Sequence, residues 1–261
     1  MKWFFALNEE APHYAAYSDM IKVAVHTAWR CTRLEPYFLY DGSPCALTAW
    51  LAAHGVTVVP RRWRLMDEFR RVAVETQNTA FISFAGGAFL RTEVPAYCRE
   101  QGWADEQVLY TDCDIMFTGD PESLWPDLRG AFFGAAPEID AQDLEAINSG
   151  VMLMRLPALW PMEAAFDDFI RRNMAECTHL LDQFAYRTFF RHGWKSLSNA
   201  LNWKPYWGEN PDARIVHFHG PKPFLRTAIA TGQAVAVQQE LARGAFAHYC
   251  RLWDEALAAA G

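Results

Sequence analysis

The chain has 261 residues, a formal charge of −7 and an apolar fraction of 51%, enough for one large α/β domain or two small ones. The acidic balance argues against non-specific nucleic-acid binding. No run of eighteen apolar residues occurs, so no transmembrane helix is expected.

Trp3 to Leu7 reads as a short apolar strand, followed by the polar break Asn8-Glu9-Glu10-Ala11-Pro12. The start turns acidic too early for a secretory leader. Tyr14, Tyr17, Ile21 and Val25 then recur at helical spacing. Pro36 to Tyr40 is a second strand, closed by the turn signal Asp41-Gly42. Leu47 to Ala53 reads as a helix stopped by Gly55, and Val56 to Val59 as a third strand. Such alternation predicts a parallel sheet covered on both faces. Arg64 to Thr76 has amphipathic helical spacing. The arginines Arg61, Arg62, Arg64, Arg70 and Arg71 read as a solvated helix face, or as a patch for an anionic acceptor or a membrane surface. The small-residue stretch Ala85-Gly86-Gly87-Ala88 leads into Phe89-Leu90-Arg91, a segment that Pro95 is expected to kink or end.

Val108 to Thr111 is β-branched and aromatic, the signature of a buried strand, and Asp112 and Asp114 lie where it ends. Ala131 to Ala135 and Val151 to Leu156 are further strands, with Ile147-Asn148-Ser149-Gly150 expected as a polar turn between them. Pro157 opens a helical stretch reaching about Met174. Thr178 is expected to cap the next helix, with Asp182 and Gln183 in its first turn and Gly193 at its end. Leu201 to Trp207 is aromatic and turn-like. Arg214 to Phe218 is the last strand and runs into His217-Phe218-His219-Gly220-Pro221-Lys222-Pro223. Gln238 to Ala260 reads as a surface-packed helix. None of the six cysteines forms a short zinc-type pair, so reduced, mostly buried thiols and a cytoplasmic setting are expected.

Asp112 and Asp114 carry the chemical signal. Side chains two apart on a strand share a face. Two unpaired carboxylates side by side repel and are costly to bury, so such a pair calls for a cation. Oxygen ligands suit Mg²⁺ or Mn²⁺, which bind a few carboxylates together with substrate phosphates. Taken alone, an Asp-x-Asp reads more readily as a solvated acidic turn. Cys113 between the two would face away and pack.

Three polar groups recur at strand or helix ends: the Asp pair, Asp182-Gln183, and the histidine-glycine-lysine loop. In this order they resemble family 8 of the glycosyltransferases, from the first strand to about Phe224. Arg91, Pro95 and the strand into Asp112 and Asp114 match that family's approach to its metal motif. Asn148-Ser149-Gly150-Val151, Asp182-Gln183, and His217, Phe218, Gly220, Lys222 and Pro223 match its later motifs. The loop between Gly220 and Lys222 is one residue shorter than the family pattern, and Phe224 stands in place of a tryptophan.

The resemblance implies a single GT-A domain over 1–261, with a Rossmann-like mixed sheet flanked by helices on both faces. Residues 1–117 would form the nucleotide-binding half, and 118–261 the acceptor and metal half. It implies a retaining transfer of a hexose from a nucleotide sugar, a UDP-hexose, to an acceptor hydroxyl. Mn²⁺, or Mg²⁺, would be held by Asp112, Asp114 and His217; an imidazole ligand favours Mn²⁺. The donor would lie against Ala6, Asn8, Tyr14, Arg91, Asp112, Cys113, Asn148, Ser149, Asp182, Gly220 and Lys222. Gln183 and Asp182 would carry the catalytic step, with Gln183 beneath the anomeric carbon. The acceptor would be a carbohydrate, lipid-linked or small molecule, with peripheral membrane contact open. Rival readings are a sugar nucleotidyltransferase and a non-catalytic sugar-nucleotide-binding module. The first normally has a glycine-rich basic loop after the first strand, where this chain has Asn8-Glu9-Glu10. Against the second stands the set Asp112, Asp114, Gln183 and His217, which a mere binder would not need.

Overall fold

The computed structural model describes residues 1–261. Its strands are β1 (Lys2–Asn8), β2 (Glu35–Asp41), β3 (Thr57–Pro60), β4 (Gln107–Thr111), β5 (Ile115–Phe117), β6 (Phe133–Pro137), β7 (Ile147–Arg155), β8 (Trp194–Ser196) and β9 (Ile215–His217). Its helices are α1 (Tyr14–Cys31), α2 (Ala46–Ala53), α3 (Met66–Glu75), α4 (Ile82–Phe89), α5 (Val94–Glu100), α6 (Leu156–Leu159), α7 (Glu163–Arg172), α8 (Met174–Phe189), α9 (Arg226–Ala230), α10 (Ala236–Leu241) and α11 (Phe246–Ala260).

Seven strands form one mixed sheet in the order β3-β2-β1-β4-β7-β6-β8. Strands β3, β2, β1 and β4 are parallel neighbours, and β7 runs antiparallel to both β4 and β6. Strand β1 is buried on both faces, and its side chains alternate between two cores. Phe4 and Ala6 join Tyr110, Met152, Phe89 and Tyr186 on one side; Trp3, Phe5 and Leu7 join Ile21, Val25, Leu51 and Leu109 on the other. A near-continuous apolar strand follows from that double burial. Strand order reverses between β1 and β4, and a crevice opens beyond their carboxyl ends, as is general where an open α/β sheet switches direction. Separately, β5 and β9 form a two-stranded antiparallel ladder, and α11 packs on α1 through Trp253, Tyr249, Met20 and Val23. No helix is long and apolar enough to cross a membrane.

Several expectations need correction. Pro95 does not end its segment: it lies in the first turn of α5, where a missing N–H costs nothing. Ile147 to Gly150 is not a turn but the start of β7; the pairing with β6 jumps between Ala135 and Ala136, so Ser149, Gly150 and Val151 bulge away from β6. Thr178 does not cap a helix: it lies within α8, and its hydroxyl donates to the Ala175 carbonyl at 2.7 Å. The C-terminal tail is two helices, α10 and α11, parted at Gly244, whose φ is +63°. The arginine cluster is not a free basic patch. Arg61 and Arg64 converge on buried Glu93, while Arg62, Arg70 and Arg71 pair with Asp67, Glu10 and Glu75.

Candidate active site

Strand β4 stops at Thr111, and the Asp112 amide donates to the Gly150 carbonyl of the β7 bulge at 2.7 Å. Strand β5 begins at Ile115, which sits opposite His217 on β9, and the Phe218 amide donates to the Asp114 carbonyl at 2.9 Å. Asp112 and Asp114 therefore lie in the short break between two strands, and a ladder formed over a hundred residues of chain sets the histidine beside them. His217 Nε2 is 3.2 Å from Asp114 Oδ1 and 3.9 Å from Asp112 Oδ2. One ligand atom from each of the three residues lies within 4.8 Å of the others.

Cations buttress this cluster from two sides. Lys222 Nζ is 2.5 Å from Asp114 Oδ2, so the shortened loop still delivers it to the site, and Phe224 packs edge-on against Tyr17. Buried Arg91 donates to Asp112 Oδ1 at 2.6 Å and to the Ser149 carbonyl, and its Nε is 3.1 Å from Asp182 Oδ2. Burial would push the Asp114 carboxyl up, but Lys222 and His217 hold it well below the usual range. Burial lowers His217, more than the aspartates raise it, which favours the neutral imidazole. Asp114 Oδ1 is buried and has no hydrogen-bond partner. An orphaned carboxylate oxygen, a second carboxylate and an imidazole converging on one point fit a divalent cation as a candidate donor set.

An open cleft lies over the two aspartates. Of the residues expected against the donor, Ala6, Asn8, Arg91, Asp112 and Cys113 line it, together with Asp114. Cys113 also packs, its Sγ 2.9 Å from the Ala6 carbonyl. Asn148, Ser149, Asp182 and Gln183 form a bonded group beside it: Ser149 Oγ donates to Asp182 Oδ2 at 2.9 Å, and Asn148 Nδ2 to Gln183 Oε1 at 3.1 Å. Two expected residues are elsewhere. The Tyr14 hydroxyl bonds Tyr40 and Cys45 at 2.9 and 3.1 Å, and Tyr17, one turn later on the same helix, lines the cleft. Gly220, with φ +80°, makes the turn toward Lys222 and abuts Leu241. His219 bonds the Tyr206 hydroxyl at 2.9 Å, and Trp203 and Trp207 donate to the Gly208 and Ile139 carbonyls.

Sequence reasoning missed Tyr17, Leu181, Asn202 and Glu138. Helical spacing from Tyr14 is the one signal that pointed to Tyr17. Leu181 enters the cleft because α8 breaks there, with φ 53° and ψ −154°. Asn202, fully buried, places its Oδ1 2.9 Å from His217 Nδ1, a contact set by the approach of Trp203 to β9.

The sequence matches no family model and no curated protein. The structure is similar to that of the galactosyltransferase LgtC in complex with donor and acceptor sugar analogs, with TM-score 0.62 and 21% identity over 93% of this chain and 95% of that one. It is also similar to the glycosyltransferase GlyE of Streptococcus pneumoniae TIGR4, with TM-score 0.63 and 18% identity over 97% of this chain and 64% of that one. Mouse xyloside xylosyltransferase 1 aligns with TM-score 0.56 and 15% identity over 83% of this chain and 97% of that one. Together with the mixed seven-stranded sheet covered by helices on both faces, this likeness over most of the chain gives it the GT-A glycosyltransferase fold.

Proposed function

We propose that the protein transfers a hexose from a nucleotide sugar, a UDP-hexose, to an acceptor hydroxyl with retention of configuration, dependent on Mn²⁺ or Mg²⁺. The observation that carries this reading is the convergence of Asp112, Asp114 and His217 at the switch point of the sheet, with Arg91 and Lys222 beside them. A pocket of that charge and position suits a diphosphate bridged to protein through a cation. In this reading the chain is one domain, with 1–117 holding the nucleotide and 118–261 supplying His217, Lys222 and the acceptor side, in a cytoplasmic setting.

Asp112, Asp114 and His217 would hold the cation, which would supply Lewis-acid stabilisation to the leaving diphosphate. Arg91 fixes Asp112 and Asp182 in place, and Lys222 adds positive charge next to Asp114, preorganised for the charge that develops. Asn8 and Cys113 contact the nucleotide, while Asp182 and Asn148 hold sugar hydroxyls. Gln183 lies beneath the anomeric carbon. Its amide oxygen already accepts from Asn148 Nδ2 and, at 3.0 Å, from the Ser149 amide, which favours a route without attack by Gln183. The bond from the anomeric carbon to the phosphate oxygen breaks, and its electron pair leaves with the diphosphate. The acceptor oxygen bonds to the same face of that carbon, and its proton passes to the departing phosphate. The acceptor is a carbohydrate, lipid-linked or small molecule; Leu181, in the 118–261 half, adds an apolar contact to the cleft.

UDP release in excess Mn²⁺ tests the proposal. Asp114→Asn and His217→Ala should each lower turnover by about 10²-fold or more, the loss typical when one preorganised charge-stabilising group is removed. Wild-type turnover in either variant, or UDP binding that ignores Mn²⁺ in calorimetric titration, would overturn it.

A further inference from the structure

The fully buried side chain of Asn202 belongs to no motif in the sequence, yet it sits directly behind His217. The hydrogen bonds around it have a direction. At one end, Gln183 Nε2 donates to Glu138 Oε1 at 2.6 Å, and a carboxylate can only accept. Glu138 stays ionised: burial would push its carboxyl up, but the nearby His219 ring and the hydrogen bonds from Arg187 and Gln183 bring it down to about 2. Gln183 therefore turns its oxygen toward Asn148 Nδ2 at 3.1 Å, an orientation that the Ser149 amide fixes independently. Asn148 in turn presents its oxygen to Asn202 Nδ2 at 3.0 Å, and the Gly150 amide, at 3.2 Å, holds that oxygen in place. Asn202 is left with its oxygen toward His217 Nδ1, 2.9 Å away, and an oxygen there demands an N–H.

We infer that Asn202 is a positioning residue that locks His217 in the Nδ1–H tautomer and so turns the Nε2 lone pair toward Asp112 and Asp114 as a metal ligand. This deepens the metal-dependent reading given above and rests on it. The polarity of the relay originates in two backbone amides of the β7 bulge and in Glu138, none of which touches the cation. A hydrogen bond to the far nitrogen of a ligating histidine sets both its tautomer and its orientation. The relay also ties the imidazole to Gln183, so one set of bonds positions the metal ligand and the residue proposed beneath the anomeric carbon.

The test reads tautomer and metal affinity rather than turnover. In ¹⁵N-histidine-labelled, metal-free protein at alkaline pH, the His217 resonances, assigned by their loss in His217→Gln, should show the proton on Nδ1. A proton on Nε2 overturns the inference in the wild-type protein itself, whatever the variants do. Mn²⁺ titration followed by electron paramagnetic resonance should show affinity about 10–100-fold weaker in Asn202→Leu, the usual loss when such a partner is removed. Asn202→Asp, which still accepts from Nδ1–H, should keep both the tautomer and affinity within about 3-fold of wild type, behaviour that a packing role alone would not reproduce. Equal Mn²⁺ affinity in Asn202→Leu and wild type overturns the inference. Failure of the wild-type protein to bind Mn²⁺ at all would strike at the proposed sugar transfer instead, leaving the tautomer measurement to stand or fall by itself.

Discussion

Gly150 occupies a position where no side chain fits. An added Cβ would collide with His217 Cε1 and lie only 2.8 Å from Asp112 Oδ2 and 2.9 Å from Asn148 Oδ1. The collision partners are two of the three residues proposed to hold the cation and one link of the bonds behind them, so the strand must come close and bare at this point. Gly150→Ala should push the imidazole away from the aspartates and weaken Mn²⁺ binding by about 10-fold or more. Calorimetric titration of a variant with native circular dichroism checks this; wild-type affinity would mean that His217 is free to yield. At this scale the sequence was informative about chemistry and silent about partners. Asp112, Asp114 and His217 were legible because carboxylates and imidazole in motif order carry a chemical meaning. Which of Tyr14 and Tyr17 faces the cleft depends on the rotation of α1 about its own axis, which spacing leaves open: the Tyr14 hydroxyl bonds Tyr40 and Cys45, and Tyr17 lines the cleft.

At the level of elements, α8 shows how local strain positions a site. Leu181 adopts φ 53° and ψ −154°, a region that side chains avoid. The break lets helix begin afresh at Asp182, which brings Asp182 to Ser149 and Gln183 to Asn148 on β7. Such a backbone costs a non-glycine residue about 1–3 kcal/mol and persists only when its surroundings enforce it. Leu181→Val, β-branched and worse suited to positive φ, should destabilise the fold by about 1–3 kcal/mol. Leu181→Gly, which relieves the strain, should cost less, although it removes more apolar surface. Urea unfolding of the two variants decides the order; a larger loss for glycine would show that packing outweighs backbone strain here. Periodicity predicted one helix running from Thr178 through this point and missed the break, because no glycine or proline marks it. Likewise β5 and β8, three residues each, are too short to show a period and exist through the partners they meet.

For the whole molecule, Glu138 ties the sheet edge to the site, since its side chain meets Arg187, Gln183 and His219. Its carboxyl is depressed from the ordinary 4.5 to about 2, so protonation costs more in the folded chain than in the unfolded one. The stability it contributes is complete above about pH 4.5 and is lost as pH falls toward about 2. Thermal melts of wild type and Glu138→Gln should therefore converge as the pH is lowered through that window; a gap that stays constant would remove Glu138 from the acid response. The arginine cluster is resolved at this scale too: a run of positive charge along the chain becomes a set of ion pairs once Glu93, Glu10 and Glu100 fold against it. By itself the sequence determined which strands are buried, that strands and helices alternate at the start, and which residues bear ligand chemistry, because side-chain polarity and spacing are local properties. Only the tertiary structure decided the antiparallel insertion of β7, the ladder that carries His217 to the aspartates, the break at Leu181 and the amide relay behind the imidazole. Each of these depends on hydrogen bonds between residues tens to over a hundred positions apart, and no local pattern in the chain encodes which distant donor will meet which acceptor.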